Sequence, residues 1–176
     1  MKSKIMPSVV LTIICAIAAL LLVFAYELTK ESIAEQKQLR FNSSVEALFG
    51  KTDCTLINDN FGEESIQAIA VTPDKKTAIQ VAADGYSKGG INVLIGIDEN
   101  GSVSGIEFVS LGETPGLGTK IRDNSDFRQQ FYGASAPDVQ IDTISNATFS
   151  SNGLKNAVDT ALKVYSENKE AILNGK

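Results

Sequence analysis

The sequence has no histidine and no tryptophan, and only two cysteines, Cys15 and Cys54, among 176 residues. Without histidine, the commonest general base at neutral pH is missing. Ser-His-Asp and Cys-His triads and His-ligated metal centres go with it. Two thiols cannot supply a tetrahedral zinc site or a disulfide framework, so no metal is expected. Positive charge is also in deficit: 16 Lys and Arg stand against 21 Asp and Glu, a net −5, with a pI near 4.8. A nucleic-acid partner held by phosphate neutralisation is therefore not expected. Only four prolines occur, and no repeat or low-complexity tract is visible. Apolar residues at 43% and charged residues at 21% describe a globular chain, not a disordered or fibrous one. Most routes to catalysis by unaided side chains are closed.

What is present begins at the N-terminus. The mean hydropathy of +0.02 is raised by one segment, Ile5 to Tyr26, which carries no charge. A helix crossing a bilayer needs about 20 such residues. Lys2 and Lys4 precede it, and Glu27, Lys30 and Glu31 follow. The positive-inside bias then predicts a cytoplasmic tail at 1–4, a transmembrane helix at 5–26 and an extracytoplasmic body. The alternative is a cleaved signal peptide, since Val23-Phe24-Ala25 loosely fits a cleavage site; the length of the run favours an uncleaved anchor. Cys15 reads as one apolar residue of the membrane helix. Cys54 has no partner outside the membrane and is expected to be buried or inert. Taking Lys2 and Lys4 away shifts the exported part from −5 to −7.

The composition of residues 27–49 predicts a stalk helix that continues outward and then packs on the domain, with 50–176 forming that domain. Strand patterns fall at Ile66–Thr72 and Thr77–Ala83. Ile91–Ile97 and Val103–Leu111 flank Asp98-Glu99-Asn100-Gly101, whose Asn-Gly predicts a β-hairpin. An amphipathic segment runs from Ile121 to Phe131, and a further strand is expected from Val139 to Ile144. Leu154, Ala157, Val158, Ala161, Leu162 and Tyr165 share one face at the helical period, with Ser150, Ser151 and Asn152 as candidate N-caps. The fold class is α+β: an N-terminal transmembrane helix, then one domain with an antiparallel or mixed sheet and packed helices.

Two segments could carry chemistry. Gly112 to Lys120 holds three glycines and a proline within seven positions, a shaped loop whose bare backbone a flat ligand could approach. It lacks P-loop spacing, and on the residues alone a structural turn stays ahead of a ligand loop. Asp142-Thr143-Ile144-Ser145-Asn146-Ala147-Thr148 leads into the last helix. Its hydroxyls could be plain caps, or the helix start could receive a phosphate.

Asp142-x-x-Ser145-x-Ala147-Thr148 resembles the D-x-x-[ST]-G-A-T signature at which FMN is attached covalently to threonine. Gly112-Glu113-Thr114-Pro115-Gly116-Leu117-Gly118 resembles the E-T-P-G-L-G loop of the same proteins, and Gly85-Tyr86 with Gly89-Gly90 resembles their preceding segment. With the anchor, this layout resembles the G subunit of the Rnf electron-transport complex; the C subunit of the Na⁺-translocating NADH:quinone oxidoreductase represents the sister family.

The resemblance implies an electron-carrying subunit of a membrane-bound, ion-translocating ferredoxin:NAD oxidoreductase, not a catalyst on its own. Its FMN would be bound to Thr148 as a phosphoester made by a flavin transferase that uses FAD and Mg²⁺. Asp142, Ser145, Ala147 and Thr148 would be the segment the transferase recognises. Glu113, Thr114, Leu117, Gly118, Thr119, Ser145 and Ala147 would surround the cofactor. The partners implied are the membrane, iron–sulfur and flavin subunits of the complex, in a bacterial or archaeal cell membrane. Two departures stand out: Asn146 replaces the usual Gly, and Gly112 sits where many relatives carry His. Asn tolerates the left-handed conformation better than other residues with a side chain, so the turn is expected to survive. The rival readings are the sister quinone-reducing pump, an exported FMN-domain donor to an extracytoplasmic reductase, and an anchored module without flavin.

Overall fold

The computed structural model describes residues 2–57 and 59–175, and the side chains from residue 7 onward. The proposed tail at 1–4 therefore lies outside the residues whose side chains are described. The chain divides into two compact units, Met1–Arg40 and Phe41–Lys176. The first is helix. Helix α1 runs from Lys2 to Phe49 with Pro7 inside it, one turn beyond the start, where the ring forgoes one i→i−4 hydrogen bond. Its span from Pro7 is long and apolar enough to cross a membrane, and its most apolar window has no buried residue.

The second unit is built on one antiparallel sheet of five strands: β1 (Thr55–Ile57), β2 (Ile66–Val71), β3 (Thr77–Ala83), β4 (Ile91–Ile97) and β5 (Val103–Leu111). Their spatial order is their order in sequence. β4 and β5 occupy the predicted hairpin segments. Their turn closes with Gly101 at φ +90°, and its N–H donates to the Asp98 carbonyl at 3.0 Å. The Asp98 carboxylate also accepts from the N–H groups of Asn100 and Ser102 at 2.9 Å each. Only Gly takes that φ freely, which is why Asn-Gly marks the position.

Side chains alternate between two faces, as the strand period requires. Ile69, Ile79, Val81, Ile91, Val93, Ile95 and Ile106 join the main core with Leu154, Ala157, Val158, Ala161 and Leu162 of helix α4 (Thr148–Leu173). Ala70, Ala78 and Leu94 face the other way and are covered by Phe41 and Val45 from the last turns of α1. Gly105 makes that approach possible: a Cβ there would lie 2.8 Å from Leu48 Cδ2. Cys54, half-buried beside this smaller cluster, has its thiol pKa pushed up by burial and then by Asp53. That keeps it protonated and unreactive.

Two expectations need correction. No strand forms over Val139–Ile144. Its apolar residues alternate, but no neighbouring strand meets it, and side chains satisfy its backbone instead. Asp159 accepts from the Val139 N–H at 3.0 Å, Gln130 from Asp142 at 2.7 Å and Ser151 from Ile144 at 3.1 Å. The amphipathic segment 121–131 forms two short helices, α2 (Lys120–Asp123) and α3 (Ser125–Gln129). Asn124 divides them: its extended backbone ends α2, and its side chain accepts from the Phe127 N–H at 3.2 Å. Finally, α4 begins at Thr148 with Ala147 at the N-cap position, so Ser150, Ser151 and Asn152 all lie inside the helix and are not N-caps.

Candidate functional site

A cleft of about 280 Å³ opens where two loops meet the start of α4. It is lined by Tyr86, Glu113, Thr114, Leu117, Gly118, Asn146, Ala147, Thr148, Phe149 and Ser150. One wall is the Gly-rich loop. Thr114 anchors its turn, its carbonyl accepting from Leu117 at 3.1 Å and Thr119 at 3.3 Å. Gly116 takes φ +74° and donates its N–H to Thr119 Oγ1 at 2.9 Å. Thr119 is thereby buried inside the loop, behind the lining.

The opposite wall is the helix start. Asn146 takes φ +64°, a left-handed conformation that Asn tolerates, and the chain turns there into α4. The N-cap, Ala147, has no side chain to cap with. Ser151 N–H donates to the Ala147 carbonyl at 2.8 Å. The N–H groups of Thr148, Phe149 and Ser150 have no acceptor among the described residues. They gather at the positive end of α4, whose helical backbone is broken only at Asn168, far from this end, the arrangement that suits an anion. Thr148 itself is exposed.

Glu113 joins the two walls. Its side chain is 5% exposed. Oε1 accepts from the Ser87 N–H at 3.0 Å; Oε2 accepts from the Tyr86 N–H at 3.1 Å and from the Ser150 hydroxyl. Burial pushes its pKa up, but the hydrogen bonds from Ser150, Ser87 and Tyr86 together outweigh burial and hold it below the ordinary carboxylate value. Three glycines make room: a Cβ on Gly85, Gly90 or Gly118 would lie 2.7, 2.8 or 2.6 Å from a Glu113 oxygen.

The rim is apolar. Tyr86 is 75% exposed, Phe149 71% and Leu117 46%. The two rings meet edge-on, with centroids 6.5 Å apart. Such clustering beside a cleft marks a surface for a ligand or partner.

Of the residues singled out from the sequence, Glu113, Thr114, Leu117, Gly118, Ala147 and Thr148 line the cleft. Thr119, Ser145 and Asp142 do not. Ser145 and Asp142 are exposed on the segment leading to the cleft. Asn146, Phe149 and Ser150 belong to the lining although nothing in the sequence marks them as ligand-facing. Tyr86 stands out in the sequence only as part of a preceding segment, and its aromatic ring was the available signal.

Residues 85–163 match the FMN-binding domain family, which brackets the whole cleft. The chain is 30% identical over 187 residues to the G subunit of the ion-translocating oxidoreductase complex of Vibrio vulnificus strain YJ016, covering 91% of this chain and 88% of that protein. The chain belongs to the G-subunit family of ion-translocating oxidoreductase complexes. The protein of the same name from Aliivibrio fischeri strain MJ11 is 27% identical, covering 94% of this chain and 92% of that one. The one from Shewanella piezotolerans is 35% identical over 107 residues, about half of each chain. The G-subunit likeness thus extends through the N-terminal helix, whereas the FMN-binding domain match is confined to the second unit.

The residues present fit an FMN. The open N–H groups and the helix dipole suit its phosphate, and the rim of Tyr86, Leu117 and Phe149 suits a flat ring. No cationic side chain lines the cleft among the described residues, so peptide dipoles would stabilise the anion. At about 280 Å³ the cleft is just below the usual range of about 300–1,000 Å³ for ligand sites.

Proposed function

We propose that this chain carries FMN esterified to the Thr148 hydroxyl and passes electrons between other subunits of an ion-translocating oxidoreductase complex. One observation carries the reading: Thr148 is exposed on the first, uncapped turn of α4 and lines the cleft opposite the Gly-rich loop. When bound, FMN would supply the electron-transfer chemistry, so the protein needs no acid–base side chain of its own. Thr148 supplies the attachment oxygen. The N–H groups of Thr148, Phe149 and Ser150 stabilise the single negative charge of a phosphodiester. Thr114, Leu117 and Gly118 present the loop, and Ala147 closes the cleft near the helix. Asp142 and Ser145 form, with Ala147 and Thr148, the surface read by the transferase. Glu113, Thr119 and Ser145 act around the cofactor and not through direct redox chemistry.

Residues 5–26 span the membrane, 27–49 continue as a stalk, and 50–176 form the flavin domain outside the cytoplasm, oriented by Lys2 and Lys4. A membrane segment with no charge offers no ionisable relay, so the ion path belongs to other subunits, as do the sites for ferredoxin and NAD. A covalent link keeps a cofactor outside the cytoplasm from being lost by dissociation.

The test is the intact mass of the full-length chain co-expressed with a flavin transferase active on a known substrate. An added mass of FMN less one water, mapped by peptide to Thr148 and absent from Thr148→Ala, is the expected result. An adduct that persists in Thr148→Ala, or an unmodified wild-type chain, would sink the assignment.

A further inference from the structure

Glu113 has a place in the fold that direct ligand contact does not explain. Its carboxylate is nine-tenths buried, and all its hydrogen-bond partners are internal: Tyr86 N–H, Ser87 N–H and the Ser150 hydroxyl. These come from two segments far apart in sequence, the loop between β3 and β4 and the first turn of α4. Glu113 itself lies on a third, the Gly-rich loop. Gly85, Gly90 and Gly118 approach the carboxylate so closely that none could carry a Cβ without displacing it. No cation pairs with it among the described residues, so the charge is stabilised by directed donors alone, which fix its orientation more tightly than a mobile ion pair would. Ser150 is two residues beyond Thr148, on the same helical turn.

We propose that Glu113 is a positioning residue, latching the Gly-rich wall of the cleft to the first turn of α4 and so setting where Thr148 stands against Thr114–Gly118. The inference rests on the reading of Thr148 as the flavin attachment site. Tyr86 and Ser87 enter the latch through their backbones, which also fixes the aromatic rim. An attachment reaction on a threonine is sensitive to such placement, because a shift of about 1 Å can cost about a hundredfold in rate.

The experiment uses the full-length chain with its transferase and compares wild type with Ser150→Ala and Glu113→Gln. Ser150→Ala cuts the link between the walls and keeps the charge; Glu113→Gln also removes the charge. Leu162→Ala and the milder Ile69→Val are core controls, buried away from the cleft lining. Every variant is read at a temperature where circular dichroism shows it folded. The expected result is attachment at least about tenfold slower in both latch variants. Flavin fluorescence anisotropy is lower in whatever they do carry, and both controls stay at the wild-type rate. A wild-type rate and anisotropy in Ser150→Ala would overturn the latch. So would controls that slow in step with the latch variants, which would make Glu113 a contributor to stability only. A wild-type chain that accepts no FMN would instead sink the parent reading. Amide exchange then decides the latch alone: faster exchange at Tyr86, Ser87, Thr114, Gly116, Leu117 and Gly118 in Ser150→Ala supports it, and unchanged exchange refutes it.

Discussion

Helices α3 and α4 begin in opposite ways. The five residues of α3 follow Asn124, whose side chain accepts from the Phe127 N–H; the 26 residues of α4 follow Ala147, which caps nothing. A short helix makes few bonds of its own and needs its cap. The long helix is held by the face it buries, from Leu154 through Tyr165, and can leave its first N–H groups open. Packing stability thus supports an unsatisfied terminus, and that terminus faces the cleft.

The largest change to this contrast should come from Gly153→Ala. A Cβ there would meet the Asp84 carbonyl and lie 2.7 Å from Ile91 Cδ1, lifting the start of α4 off the sheet at a cost of about 1–3 kcal/mol, read by denaturant unfolding. Next, Asn124→Ala should lose about 1 kcal/mol, while Thr148→Val, which removes a hydroxyl that caps nothing, should stay within about 0.5 kcal/mol. If both lose the same, Thr148 is a cap and the contrast fails.

Acid tests the seating of α4 through Glu113. Its folded pKa lies below the ordinary 4.5, so it contributes stability above that value. The contribution fades as pH falls from 4.5 through the lowered pKa, because the unfolded chain takes up the proton first. A pH series of thermal midpoints should therefore drop more steeply in that window for wild type than for Glu113→Gln. The smallest effect is expected from Asn146→Gly. Relief of the left-handed φ is offset by the extra freedom of an unfolded glycine, leaving a net change within about 0.5 kcal/mol.

Most of the sheet was legible because its strands carry their own signals. β3, β4 and β5 alternate or run apolar between Gly, Asn and Asp, and their bounds coincide with the expected ones. β1 was missed: three residues at an edge, with only Ile57 buried, give no period to read. Val139–Ile144 shows the opposite failure. Alternation records which side chains face inward, and here that did not require a strand partner. The split at Asn124 was masked by the continuous apolar spacing of Ile121, Phe127 and Phe131. In the site, the Gly-rich loop and the Thr148 segment were visible because each breaks local regularity. The link between them was not. It lies in hydrogen bonds from backbone atoms of Tyr86 and Ser87, which side-chain identity does not record, and in a Ser150 that reads as a surface cap until α4 is seen to begin earlier.

The order of the strands in space repeats their order in the chain. Each pairing closes only a short loop, the kind of topology that folds quickly from an extended state. Helix α4 is different: it docks across β2, β3 and β4, contacts that span much of the unit and are slower to find. As the chain folds, the sheet can therefore assemble before the segment bearing Thr148 has settled. A threonine seated by such late contacts would still be easy to grasp for a modifying enzyme that met the chain before α4 had docked.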